Sequence, residues 1–319
     1  MARIRAFENA AEEASRGGVS AFGAALDADV RVRGPLHLST GQEAVPAGVC
    51  INLAKDDLLT STHRGHGHSI AKGASVDKMM GELFGRATGF NGGKGGSMHI
   101  ADFSVGMLGA NGVVAAGIPI AVGAAHALKV QGREGLVACF FGDGAINRGP
   151  FLEGLNWAKI HALAVLFVCE DNRWSATTAT DAMTAGGGPL ARAQAIGVDG
   201  LAVDGNDVFA VDEAAASLAR KIRAGEGPQF LHAITYRFKG HVSVDPATYR
   251  DGEEVARALE NDPLLLIEAE ISRQDAMKIR AEVQAEVRKA LELAAAAPWP
   301  ATAEAYRDVQ DTGAGRWLG

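Results

Sequence analysis

Cysteine is scarce in this chain of 319 residues, with three in all. Cys50, Cys139 and Cys169 are odd in number and lie in apolar surroundings, so we expect free thiols in the core and no disulfide framework. Runs of basic residues are also lacking, and the formal net charge is −7. This balance argues against nucleic acid or an anionic membrane as a partner.

Long apolar runs are missing too. No stretch has the length and flanks of a signal peptide or of a membrane span, which predicts a cytoplasmic protein. No repeat or low-complexity linker divides the sequence. Because 47% of the residues are hydrophobic and 22% are charged, the chain can bury a large core. We therefore predict one domain over residues 1–319, with helical extensions at both ends.

The most informative segment joins two apolar stretches through a glycine turn. Residues 136–141 and 164–169 read as buried strands, and residues 150–161 between them read as an amphipathic helix. This pattern predicts a right-handed βαβ unit of a parallel sheet. Asp143 and Asn172 would then lie at neighbouring strand ends, where open parallel sheets bind ligands.

These residue types suit a magnesium diphosphate. Mg²⁺ takes oxygen ligands, often one or two protein carboxylates together with phosphate oxygens and water. Asp143 supplies charge and Asn172 supplies a neutral oxygen. Gly142 and Gly144 let the backbone pass close to the phosphates, since neither has a Cβ.

Two other kinds of glycine loop do not fit. In a dinucleotide fingerprint the third glycine would stand where this chain has Asn147. A P-loop around Lys94 would require Gly at position 88 and Ser or Thr at position 95, which are Thr88 and Gly95 here. An ordinary turn remains the simple interpretation of the Asp143 loop alone, but not of strand, helix, strand and Asn together.

Residues 142–178 resemble the thiamine-diphosphate motif of the alpha subunits of 2-oxo acid and acetoin dehydrogenase complexes. The resemblance implies a thiamine-diphosphate-binding α/β fold, mainly a parallel sheet with helices on both faces. It also implies that Asp143, Asn172 and the backbone carbonyl of Trp174 bind Mg²⁺. Gly144 and Ala145 would lie against the diphosphate. Trp174 replaces the family's usual Tyr, which matters little if only its carbonyl is used.

A second constellation, STHRGHGHSIAKG at residues 61–73, places an arginine and three histidines in one loop. Arginine presents a planar fork to phosphate oxygens, and imidazoles exchange protons near neutral pH. A metal site is the alternative, disfavoured because no Cys or carboxylate accompanies the cluster. By resemblance, Arg64 and His63 bind the diphosphate and His66 faces the substrate. His63 departs from the common Tyr.

Three further segments match the same family. Within residues 92–129, Gly112 and Val114 would contact the aminopyrimidine ring of the cofactor. Within residues 235–250, His241 would be a catalytic imidazole that also contacts the cofactor. Near the amino terminus, His37 is expected near the cofactor, and we read Gln42 and Glu43 as mainly structural.

The resemblance implies a thiamine-diphosphate-dependent oxidoreductase that acts on an aldehyde or oxo group. Such an enzyme cleaves acetoin or oxidatively decarboxylates a 2-oxo acid such as pyruvate, and passes the acyl group to a lipoyl-bearing acyltransferase. The family's ring-activating Glu comes from a separate beta subunit, which implies an α2β2 heterotetramer that is active only when both subunits are present. Alternatives are a branched-chain 2-oxo acid dehydrogenase subunit, a stand-alone thiamine-diphosphate lyase, and an inactive scaffold.

Other elements follow from periodicity. Residues 177–188 are small and polar and read as a mobile loop beside the magnesium site. We predict a helix over residues 207–224, a strand over residues 229–236, and a long charged helix over residues 274–297, ended by two prolines.

Overall fold

The computed structural model describes residues 1–16, 31–32 and 34–307. In chain order, its strands are β1 Leu58–Thr60, β2 Met107–Gly109, β3 Val137–Gly142, β4 Val165–Asp171, β5 Trp174–Ser175, β6 Thr178–Ala179, β7 Gly200–Asp204 and β8 Gln229–Ile234. Six of them form a sheet in the order β2-β1-β3-β4-β8-β7, in which all neighbouring strands are parallel. Strands β5 and β6 form a separate antiparallel ribbon.

Helices cover both faces of this sheet. They are α1 Ala2–Ala14, α2 Ala44–Cys50, α3 Gly65–Ala71, α4 Val76–Leu83, α5 Gly117–Val130, α6 Gly149–Ile160, α7 Gly188–Ala195, α8 Val208–Arg223, α9 Gly252–Glu260, α10 Pro263–Glu268 and α11 Arg273–Ala296. Two buried apolar clusters result, one on each face of the sheet.

Strand alternation divides the core between the two faces. Ala138 and Phe140 of β3 join the cluster beneath α1, α2, α4, α8 and α11. Val137, Cys139 and Phe141 join the cluster beneath α5 and α6. Successive side chains of a strand point to opposite faces, so a strand that is covered on both sides must be apolar throughout. This is why residues 136–141 form a continuous hydrophobic run.

The structure confirms the predicted α/β class and the βαβ unit. Strands β3 and β4 are parallel neighbours, with Gly142 opposite Glu170, and α6 connects them. The predicted helices at residues 207–224 and 274–297 correspond to α8 and α11, and the predicted strand at 229–236 corresponds to β8. All three cysteines are buried and free, as expected.

Residues 177–188, which we predicted to form a mobile loop, contain short regular elements. They carry β6 and a 3₁₀ turn at Thr180–Ala182. The Thr180 amide donates to the carbonyl of Arg173 at 2.9 Å, which closes the ribbon back onto the end of β4. Small polar residues do not reveal such long-range contacts in the sequence.

Among the described residues, no helix has the length and apolar character needed to cross a membrane. Parts of the predicted domain span, residues 17–30, 33 and 308–319, lie outside the described residues. The assignment of the whole chain to one domain therefore stays a prediction.

Candidate active site

A cavity opens at the carboxyl ends of β1, β3 and β4. Its empty volume, including space open to solvent, is about 860 Å³. Four segments that are distant in sequence form its walls: the ends of β3 and β4, the loop before α3, the loop before α5, and the loop after β8. The parallel sheet brings these segments together because all of its strands end at the same edge.

Asp143 and Asn172 both line this cavity and are both buried. The Asp143 carboxylate accepts a hydrogen bond from the Thr180 hydroxyl. The Asn172 amide donates to Gln42 Oε1 at 3.2 Å, and its oxygen accepts from the Trp174 amide at 3.1 Å. Since an amide oxygen has two lone pairs, one remains for a cation.

The electrostatics of Asp143 favour a cation. Burial, together with the negative charge of Asp171, raises the pKa of Asp143 to about 6. No direct ion pair among the described residues includes Asp143, which interacts with a cation, Arg237, only at longer range. A buried carboxylate that lacks a direct ion-pair partner is costly, and a bound divalent cation would reduce that cost.

The turn after Asp143 approaches the β5–β6 ribbon very closely. A Cβ added to Gly144 would lie 2.9 Å from Ser175 Cβ and would overlap Ser175 Oγ. A Cβ added to Gly142 would lie 3.9 Å from its nearest neighbour, the Glu170 carbonyl. The structure therefore favours glycine at position 144 because of the Ser175 side chain, whereas it leaves room for a Cβ at position 142.

Trp174 is held in place by one hydrogen bond from its side chain and one from its backbone. The preceding residue, Arg173, adopts a left-handed conformation with φ of 66°. The indole Nε1 donates to Glu254 Oε1 at 3.0 Å, while the backbone amide donates to Asn172. Trp174 lines the cavity, so its main chain is fixed beside the two candidate metal ligands.

The opposite wall of the cavity is basic. Arg64 and Arg237 are 5% and 1% exposed, and both line the cavity. Arg64 Nη1 donates to the Leu38 carbonyl at 2.8 Å, and Nη2 donates to the His241 carbonyl at 2.9 Å. Burial and then repulsion by Arg237 lower the pKa of Arg64, and burial and then repulsion by Arg250 lower the pKa of Arg237 to about 10. Two buried cations that repel each other form a site for an anion.

Three imidazoles meet beside these arginines. The rings of His37, His63 and His241 have centroids 4.7 to 5.7 Å apart. Burial, and next the charge of Arg64, lower their pKa values to about 3, 2 and 4 respectively. All three rings are therefore neutral at pH 7, and each can donate one hydrogen bond. The Nδ1 atom of His37 is buried without a hydrogen-bond partner.

The same three histidines place one ring nitrogen each within 4.8 Å of the others, a spacing that permits a metal ion. The neighbouring charges decide against it. At an effective dielectric constant of about 20, a divalent cation about 6 Å from one guanidinium is repelled by roughly 5 kcal/mol. Arg64 Nη2 already lies 3.2 Å from His241 Nδ1. The cluster is better suited to a phosphate or a carboxylate.

His66, predicted to face the substrate, does not line the cavity. It is fully buried: Nδ1 lies 2.9 Å from Glu8 Oε2, and Nε2 lies 3.0 Å from Ser97 Oγ. The reason is that α3 begins at Gly65, which turns His66 towards α1 and away from the cavity. Both ring nitrogens already have partners, so His66 can act on the cavity only through its neighbours.

Most of the other predicted site residues line the cavity, and one does not. Val114, Gly144, Ala145, His63 and His241 line the cavity. Gly112 does not line it, although the residues on either side, Asn111 and Val113, do.

Sequence reasoning missed Arg237 and underestimated Gln42, which fixes the Asn172 amide. For Arg237, the available signal was a single arginine just beyond a buried strand, four positions before His241.

Comparison with known proteins identifies the family of the chain. Residues 25–303 match the family described as the dehydrogenase E1 component. The chain belongs to this family.

Similar proteins include two acetoin:2,6-dichlorophenolindophenol oxidoreductase alpha subunits. The one from Bacillus subtilis is 40% identical over 314 residues, covering 97% of this chain and 91% of that protein. The one from Cupriavidus necator is 42% identical over 285 residues, covering 87% and 86%. The pyruvate dehydrogenase E1 component subunit alpha of Porphyra purpurea is 37% identical over 287 residues, covering 86% and 83%. These findings confirm the resemblance and the oxidoreductase class.

Proposed function

We propose that this chain is the alpha subunit of a thiamine-diphosphate-dependent dehydrogenase that cleaves acetoin or oxidatively decarboxylates a 2-oxo acid such as pyruvate. One observation carries the proposal: a single cavity contains an unpaired buried carboxylate on one wall and two buried arginines on the other. This polarity suits a cation bound to a polyanion. The alpha-subunit relatives named for acetoin and for pyruvate support the same substrates, and the branched-chain alternative gains no support from them.

At the metal end, Asp143, the Asn172 amide oxygen and the Trp174 carbonyl would bind Mg²⁺. The donor set is one charged and two neutral oxygens, which suits a hard cation that keeps phosphate oxygens and water as its other ligands. The raised pKa of Asp143 supports this assignment, since a bound cation would stabilise the carboxylate and lower that pKa again.

At the anion end, Arg64 and Arg237 would bind the diphosphate together with His63. Gly144 and Ala145 lie on the same cavity wall as Asp143, where the close backbone turn admits a phosphate. The unpartnered Nδ1 of His37 also fits a ligand that supplies the missing hydrogen bond.

Thiamine diphosphate, when bound, would supply the carbanion chemistry needed to cleave the carbon–carbon bond next to the substrate carbonyl. Val114, with Gly112 beside it, would hold the ring end of the cofactor. The neutral imidazole of His241 would orient the substrate oxygen and exchange a proton with it. His66 would keep its place in the reaction through the buried Glu8 and Ser97 contacts, as a positioning residue.

The ring-activating carboxylate would come from a beta subunit, giving an α2β2 assembly that delivers the acyl group to a lipoyl-bearing acyltransferase in the cytoplasm. The names of the relatives, which are alpha subunits, support a partner subunit. A stand-alone lyase would need that carboxylate within this chain, and an inactive scaffold would not need Asp143, Arg64 and Arg237 in one cavity.

The test is reconstitution. The purified chain is assayed alone and with its beta subunit, using an artificial electron acceptor and a panel of acetoin, pyruvate and branched-chain 2-oxo acids. We expect negligible turnover by the chain alone and turnover of acetoin or pyruvate by the mixture. Robust turnover by the chain alone would overturn the two-subunit proposal, and a preference for branched-chain acids would overturn the substrate assignment.

A further inference from the structure

The Asp143 carboxylate has a hydroxyl partner from a distant part of the chain. Thr180 donates a hydrogen bond to Oδ2 of Asp143. Thr180 is 6% exposed and Asp143 is 1% exposed, and Thr180 lies on the 3₁₀ turn Thr180–Ala182 that follows β6. Since either buried group would lose free energy without its partner, the fold specifies this contact.

The hydrogen bond uses only part of the carboxylate. An ionised carboxylate has two oxygens and about four lone-pair positions, so one hydroxyl leaves acceptor positions for a cation. The hydroxyl is also neutral, and it does not cancel the negative charge of Asp143. Thr180 can therefore keep its hydrogen bond while the carboxylate binds a metal ion.

The main chain of Thr180 is tied to the third proposed ligand. Its amide donates to the Arg173 carbonyl at 2.9 Å. Ala179, the residue before it, pairs with Trp174 in the β5–β6 ribbon. One backbone arrangement therefore fixes both the Trp174 carbonyl and the hydroxyl that contacts Asp143.

Contacts further along the chain hold the same segment against the turn after β3. Asn147 Nδ2 donates to Thr184 Oγ1 at 2.9 Å. Arg192 bridges the two segments, because its Nη1 donates to the Ile146 carbonyl at 2.9 Å and its Nη2 donates to the Ala185 carbonyl at 3.0 Å. The turn after β3 and the segment after β6 are thus joined at several points, which restrains the position of the hydroxyl donor.

We propose that Thr180 is a positioning residue for the metal site, whose hydroxyl orients the Asp143 carboxylate and links it to the strand pair that holds the Trp174 carbonyl. This inference rests on the proposed function. Carboxylates that bind metals are themselves hydrogen-bonded, and loss of such an outer partner typically weakens metal binding about 10- to 100-fold. Thr180 acts through Asp143 and does not itself contact the substrate.

Three substitutions test this role. Thr180→Val removes the hydroxyl and keeps the shape of the side chain, whereas Thr180→Ser keeps the hydroxyl. Thr178→Val is the matched control, because Thr178 is exposed on the same ribbon.

The assembled enzyme, at a fixed concentration of thiamine diphosphate, is titrated with Mn²⁺, and the free ion is measured by electron paramagnetic resonance. The dissociation constant for Mn²⁺ should rise about 10- to 100-fold in Thr180→Val. It should stay close to the wild-type value in Thr180→Ser and in Thr178→Val.

A second readout separates positioning from damage to the fold. At saturating Mn²⁺, the kcat of Thr180→Val should approach the wild-type value, because a higher metal concentration offsets a lower affinity. A distorted site would lose kcat at every metal concentration. Thr180→Ala removes the same hydroxyl with a smaller side chain and should weaken Mn²⁺ binding in the same direction.

Four outcomes would count against the proposals. Wild-type Mn²⁺ affinity in both Thr180→Val and Thr180→Ala would overturn this inference alone. Tighter binding would show that the hydroxyl competes with the metal, and the positioning role would be wrong. If neither variant assembles while Thr180→Ser does, the hydroxyl serves the fold rather than the metal, which also overturns the inference. A wild-type assembly that binds no Mn²⁺ in the presence of thiamine diphosphate would instead refute the proposed function.

Discussion

Substitution of Gly144, the second glycine of the Gly142-Asp143-Gly144 turn, should show how far the cofactor site depends on the close packing of this turn against Ser175. In Gly144→Ala, the new methyl group would overlap Ser175 Oγ and lie 2.9 Å from Ser175 Cβ. Forcing such an overlap typically costs about 1–3 kcal/mol. The strain would be relieved by displacing the β5–β6 ribbon, which carries Trp174 and its carbonyl.

Gly142→Ala is the matched control. Its methyl group would have its nearest neighbour at 3.9 Å, and the backbone at Gly142, with φ of −86°, suits any residue. The free chain should therefore tolerate this change. A third variant, Gly144→Ala with Ser175→Gly, removes the overlapping side chain and should restore much of the lost stability.

Two measurements are needed. Thermal unfolding of the free chain should show a lower Tm for Gly144→Ala than for Gly142→Ala. A kcal/mol corresponds to about 2–4 °C in domains of 150–250 residues and to less in a longer chain. Calorimetric titration of the assembled enzyme with magnesium and thiamine diphosphate should show weaker binding by Gly144→Ala, partly rescued by Ser175→Gly. Equal stability of the two single variants, or no rescue, would refute the packing argument.

Three other predictions follow from buried groups. The Glu82 carboxylate accepts hydrogen bonds from four backbone amides, those of residues 91, 93, 95 and 96, at 2.7 to 3.0 Å. Glu82→Gln should lower the free energy of unfolding, measured in urea, by about 3 kcal/mol or more. A decrease below about 1 kcal/mol would contradict this prediction. Arg237→Met should weaken binding of inorganic pyrophosphate about 10- to 100-fold by calorimetry, with unchanged affinity as the contrary result. Burial and the charge of Arg64 lower the pKa of His241 in the folded chain from 6.5 to about 4, so the unfolded chain binds more protons between these two pH values. The melting temperature should therefore fall as the pH falls through this window, and it should fall less steeply in His241→Gln. The same dependence of melting temperature on pH in both proteins would contradict this prediction.

Much of the fold could be predicted from the sequence, because strands that are buried on both faces of the sheet are apolar at consecutive positions. Strands β3 and β4 are uninterrupted apolar runs, and the glycine turn and Asn172 mark where they end. The pairing of Asp143 with Asn172 then follows from parallel topology, and the structure places both in one cavity.

The directions of side chains outside the strands were harder to predict. His66 belongs to a motif whose first four residues, 61–64, line the cavity, yet the start of α3 turns it towards Glu8. Arg237 becomes part of the site because the chain after β8 folds back along the cavity, a long-range arrangement that local sequence does not encode. The contact of Thr180 with Asp143 is of the same kind.

The central claim is that Asp143 and Asn172 together bind the metal ion that holds the diphosphate. The most direct test is a crystal structure of the assembled enzyme with thiamine diphosphate and Mn²⁺ in place of Mg²⁺, recorded at a wavelength where manganese scatters anomalously. The account predicts one anomalous peak at coordination distance from both side-chain oxygens and from the Trp174 carbonyl. A peak at the histidine cluster, or a bound cofactor whose metal contacts neither Asp143 nor Asn172, would contradict it.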